Sequence, residues 1–116
     1  MPTKSFKELL VWQKAKILAV EIYKLTENYP KSEQYGITNQ MRRAAVSISS
    51  NIAESYNRFH SKEKKQFIYI AYGSGSELES QIEISKELFP KLNYKESEKI
   101  IDEVMRMLNK ILNSSF

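Results

Sequence analysis

The chain has 116 residues, 41% of them hydrophobic and 28% charged, with three glycines, three prolines and no cysteine. That is one domain with one core; disorder, disulfides, thiolate metal sites and membrane spans of about 18 apolar residues are excluded. The net charge of +4 admits nucleic acid as a partner without specifying it.

Three breaks divide the chain: NYPKSEQYG at 28–36, NRFHS at 57–61 and FPKLN at 89–93. The four segments between them all read as helix, over about 6–28, 38–57, 61–89 and 94–112. In the first, Val11, Ala15, Leu18, Ile22, Leu25 and Tyr29 step by four and three, the a/d seam of a packed helix. Ser5 and Glu8 have capping-box spacing at its start, and Pro30 stops it. The second carries an apolar stripe of Ile37, Met41, Ala44, Ile48, Ile52 and Tyr56, with small Ala45 and Ala53 beside it.

The third segment holds Tyr72-Gly73-Ser74-Gly75-Ser76 between FIYIAY and ELESQIEISKEL, which resembles a strand, a glycine-rich turn and a helix. A strand there would have no partner, and an isolated strand is not stable. The turn lacks the third glycine of G-x-G-x-x-G and the Gly-Lys-Ser/Thr of a P-loop. Helical period instead continues through it, at Phe67, Ile70 or Ala71, Ser74, Leu78, Ile82, Ser85 and Phe89. One helix from Ser61, its expected N-cap, is therefore predicted. Each glycine costs such a helix about 1 kcal/mol, so Gly73, Ser74 and Gly75 are assigned as a packing notch for another helix or subunit. The fourth segment opens on Asn93 and Glu96, again a capping box, and repeats Ile101, Val104, Leu108 and Ile111. Four helices with short connections predict an all-α, antiparallel up-down-up-down four-helix bundle as a single domain over 1–116.

Catalytic chemistry finds no foothold. His60 is the only histidine, and it sits in a turn without a second ligand. Ser61 and Lys64 match S-x-x-K, but no S-D-N or K-T-G follows, and Ser61 reads better as a cap. Glu79, Glu83 and Glu87 share a helix face but lack the Glu-x-x-His of a di-metal bundle. Arg42 and Arg43 come level with about 77–78 on an antiparallel third helix, so a salt-bridge network with Glu77 or Glu79 is expected. No catalytic, cofactor-binding or metal-binding residue is assigned.

A basic cluster, Arg58, Lys62, Lys64 and Lys65, surrounds the turn between the second and third helices, with Glu63 among them. Lysines in a first helical turn oppose the macrodipole. They are candidate phosphate contacts, with Arg42 and Arg43 as weaker ones. The aromatic surplus (Trp12, Tyr23, Tyr29, Phe67, Tyr69, Tyr72) reads as a subunit interface, with base stacking as the functional alternative.

FKELLVWQKA at 6–15, YPKSEQYGIT at 29–38, QMRRAAVSISSNIAES at 40–55 and GSGSELESQIEIS at 73–85 resemble one family. It is the small bacterial four-helix-bundle proteins first noted as reading frames in intervening sequences of 23S ribosomal RNA genes. The resemblance covers about 6–112. It implies a homopentameric ring. It also implies kinship with accessory proteins of diversity-generating retroelements, basic pentamers that bind nucleic acid and a reverse transcriptase. Ser49 and Ser55 stand where the family commonly has proline and glycine, so a straighter second helix is expected, and Gly75 is an extra glycine. Two functions follow as expectations. One is a cytoplasmic, non-enzymatic homo-oligomer binding RNA or DNA through its basic surface, with salt-sensitive binding abolished by Glu at Lys62, Lys64 and Lys65. The other is a protein-interaction scaffold, such as a reverse-transcriptase accessory subunit, without direct nucleic-acid binding.

Overall fold

The computed structural model describes residues 4–114. Four helices account for most of them: α1 (Leu10–Thr26), α2 (Ile37–Tyr56), α3 (Ser61–Leu88) and α4 (Lys95–Leu112). Among the described residues there is no strand, and none of the helices is long and apolar enough to cross a membrane.

α1 begins at Leu10 rather than near residue 6, because the capping residues close a separate turn. Ser5 Oγ accepts from the Lys7 amide at 3.2 Å and Glu8 from the Lys4 amide at 2.8 Å, shaping a short 3₁₀ turn at Phe6–Glu8. Leu9 is then extended, and Phe6 folds back edge-on against Trp12, 5.0 Å between ring centres. Every residue of the α1 seam, from Val11 to Tyr29, is buried. In α2 the centre of the stripe is buried as its spacing requires, but Thr38 and Ser55 replace Ile37 and Tyr56 at its ends.

α3 runs unbroken through Gly73 and Gly75 for 28 residues. Ser61 is its first helical residue and caps nothing; His60 holds the cap position without a side-chain bond. Its core face is Ile68, Ala71, Ser74, Gly75, Leu78, Ile82 and Ser85, so Ile68 is buried in place of the expected Phe67, and of the alternatives Ile70 and Ala71 it is Ala71. At the α3–α4 turn, Tyr94 Oη donates to the Ser85 and Phe89 carbonyls at 3.0 and 2.8 Å, adding to the backbone bonds these carbonyls accept from Phe89 and Leu92. Asn93 Oδ1 accepts from the Lys95 amide at 3.0 Å at the start of α4.

α1 packs on α2 and α4, and α3 packs on the same two, giving a bundle of 45 × 22 × 22 Å. The glycines behave differently. A Cβ on Gly75 would stand 2.2 Å from Met105 Sδ, so the missing side chain is where α4's Met105 lies across α3. Ser74 Oγ meets Ser47 Oγ of α2 at 2.9 Å. A Cβ on Gly73 would touch nothing within 4 Å, so in this chain Gly73 is not part of that notch.

Candidate nucleic-acid interface

The turn joining α2 to α3 forms one tip of the bundle. Its cations do not share one role. Lys64 Nζ turns back and donates to the Ser55 and Tyr56 carbonyls at 3.3 and 3.0 Å, while Ser55 Oγ donates to the Lys64 carbonyl at 2.8 Å. A cation there answers the negative end of the α2 dipole. Lys64 is thus a clasp between two helices. Arg58 pairs with Glu54 at 2.9 Å and lies over the Phe67 ring, 4.8 Å from its centre. Lys65 sits 6.0 Å from the Tyr69 ring centre and, among the described residues, has no carboxylate partner. Lys62 is exposed and, among the described residues, bonds to nothing. Phe59, in the middle of the turn, is 95% exposed. Its signal was available: an apolar residue in the polar run NRFHS belongs to no seam.

Arg42 and Arg43 lie elsewhere and separate from each other. Arg42 Nε donates to Thr26 Oγ1 at 2.9 Å, a second guanidinium nitrogen reaches the Tyr23 carbonyl at 3.3 Å, and the group stacks 4.5 Å from the Tyr23 ring centre. It ties α2 to the end of α1, so the expected pairing with Glu77 or Glu79 does not form. Arg43 and Glu77 border one cleft but make no ion pair within 4 Å among the described residues. Glu79 turns to α4 instead. Burial, then the charge of Asp102, pushes its carboxyl above the ordinary range. Glu83 pairs with Lys86 at 3.6 Å, and Lys86 reaches Glu98 of α4 at 3.0 Å. Arg42 missed its partner because residue level along two helices fixes height, not the side from which a side chain leaves.

His60 is exposed, and among the described residues no three His, Asp or Glu side chains converge as a metal site requires. The arrangement at the tip can attract an anionic polymer and offer one flat apolar ring to it.

The family model of the 23S rRNA-intervening sequence protein matches residues 7–110. The fold is similar to the crystal structure of a protein of unknown function from the S23 ribosomal protein family of Bacteroides thetaiotaomicron. The two share 22% identity and a TM-score of 0.80, over 90% of this chain and 100% of that one. No curated protein matches.

Proposed function

The chain belongs to the 23S rRNA-intervening sequence protein family, and from that premise we propose a cytoplasmic, non-enzymatic, homo-oligomeric bundle that binds RNA or DNA through its basic tip. The observation that carries the reading is local charge without neutralisation: among the described residues Lys62 and Lys65 make no ion pair, and the ring of Phe59 in the preceding turn is bare. Four cations, Arg58, Lys62, Lys64 and Lys65, face two carboxylates, Glu54 and Glu63, in this stretch. Lys62 and Lys65 contact phosphates, which position a strand without reading it, and Phe59 stacks on a base.

The helices run antiparallel in this reading: Met41, Ser47 and Ser55 of α2 meet Ser85, Ser74 and Lys64 of α3. Leu10, Ile17 and Val20 of α1 and Ile70, Ile84 and Leu88 of α3 are half exposed, which supports self-association into a homopentameric ring. A ring repeats a weak tip and gains avidity.

The test is light scattering of the full chain with single-stranded RNA titrated in at low and high salt. The expected result is a mass about five times that of the chain. Affinity should fall with salt, with a log–log slope of about 0.7 for each phosphate contact. Lys62→Glu with Lys65→Glu should remove most of the binding, and unchanged binding would remove the tip from the mechanism. The second reading, a scaffold for a protein such as a reverse transcriptase, is favoured by exposed Ile84 and Leu88. It predicts a partner complex that survives high salt and fails on Ile84→Asp.

A further inference from the structure

A cleft of about 530 Å³ opens between α2 and α3, well inside the range of about 300–1,000 Å³ usual for small-molecule sites. Its floor is the Ser47–Ser74 hydroxyl pair, 2.9 Å apart. Arg43 stands on the α2 wall and Glu77 on the α3 wall. Both are exposed, and neither makes a hydrogen bond or ion pair among the described residues. That sets Arg43 apart from the other arginines: Arg42 is held by Thr26 and Tyr23, Arg58 by Glu54, and Arg106 by Asp102. Gln81 also lines the cleft, and its Oε1 is buried without a donor. At the mouth, the Tyr35 ring is 89% exposed.

The cleft therefore offers a fork of donors, a bidentate acceptor, an amide and a flat ring, all unengaged, with charges that cancel. An isolated phosphate does not suit it, because Glu77 would repel it. A neutral planar group with two acceptors on one edge and two donors on the next does suit it. Guanine is that group. Its O6 and N7 accept from an arginine fork, and its N1–H and N2–H₂ donate to a carboxylate. Adenine, cytosine and uracil each lack one of these paired edges.

We propose that the α2–α3 cleft receives a guanine base of a single-stranded nucleic acid, with Arg43 on O6 and N7, Glu77 on N1–H and N2–H₂, and Tyr35 stacked over the ring. This rests on the nucleic-acid reading above and adds sequence preference to it. Ser74 lies nine residues beyond Lys65 on α3, about 14 Å at 1.5 Å per residue. At 100° per residue the two positions also lie about half a turn apart around α3, so a strand that engages both passes around the helix as well as along it and needs more than the roughly four nucleotides of the axial span.

The experiment measures fluorescence anisotropy of the full chain with labelled A-rich strands of about ten nucleotides, a length suited to small single-strand binders. The strands carry guanine, inosine or only adenine at the centre, in RNA and DNA versions that separate the two sources of the base. The guanine strand should bind about tenfold tighter than the adenine strand. Inosine, which lacks the N2 amine, should fall between them. Glu77→Gln and Arg43→Ala should each bring the guanine-to-adenine ratio close to one. In parallel, guanosine alone is titrated into the isotope-labelled chain, and the amide signals of Ser74 and Gln81 should shift. Equal affinity for guanine and adenine strands, with no guanosine shift, overturns the cleft and leaves the basic tip standing. A guanosine shift without binding of any strand supports the cleft and overturns the nucleic-acid reading. No strand binding and no shift overturns both.

Discussion

Among the pairs of like residues two positions apart in α3 are Lys62 and Lys64, Gly73 and Gly75, and Glu77 and Glu79. Two steps turn a helix by about 200°, so each pair is split between opposite faces. In each of these three one member meets a neighbouring helix and the other does not. Gly75 accommodates Met105 while Gly73 borders open space. Lys64 clasps α2 while Lys62 projects. Glu79 feels Asp102 of α4 while Glu77 stands at the cleft. Residue type alone assigns the same role to both members; the face decides which one carries it.

The glycine pair gives the largest contrast. Gly75→Leu drives a side chain into Met105 and should destabilise the chain by about 3 kcal/mol, the upper end for overpacking. Gly73→Ala should stabilise it by about 1 kcal/mol, from helix propensity alone. Urea denaturation of both variants measures the difference. Adding Met105→Ala to Gly75→Leu should recover much of the loss; an undiminished loss would mean that Met105 is not the obstacle.

The lysine pair is next. Lys64→Met keeps the aliphatic stem and removes the donors to two α2 carbonyls, and should cost about 1 kcal/mol. Lys62→Met should leave stability within about 0.5 kcal/mol of the parent while weakening RNA binding. If both variants lose stability equally, the clasp is not specific to Lys64.

The same distinction explains what the sequence made legible. The α1 seam could be read whole, because its strict spacing needs only apolar residues on one face. The ends of the α2 stripe were off by one position, because Ile37 and Tyr56 outrank Thr38 and Ser55 in hydrophobicity. Ser55 is nevertheless buried, with its hydroxyl satisfied by the Lys64 carbonyl. The centre of α3 was legible, because Ser74, Leu78, Ile82 and Ser85 keep the period and Gly75 marks the close approach; its first turns were off by one, with Ile68 buried in place of Phe67. Ser5 and Glu8 were rightly paired as capping residues but serve a turn before α1, since capping spacing does not say which helix follows. At the tip the cations were visible by type. Their separation into clasp and free charge was not, because Lys64 bonds to backbone carbonyls that no motif records. The cleft left no signature either. Its walls come from Tyr35, the first turns of α2 and the middle of α3, segments brought together only by packing.

The glutamate pair yields the smallest effect and a distinctive pH dependence. Burial and Asp102 raise the carboxyl of Glu79 in the folded chain. The folded state then takes up this proton more readily than the unfolded one, so the ionised side chain opposes folding above the folded-state pKa. That opposition is relieved as the pH falls through the carboxylate range. Glu79→Gln should therefore raise Tm at neutral pH, by less than about 0.5 kcal/mol of stability for so exposed a site. The gain should shrink as the pH falls through the carboxylate range and the parent takes up its proton. A Tm gain for Glu79→Gln that stays constant with pH would point to helix propensity rather than to the charge that burial and Asp102 oppose.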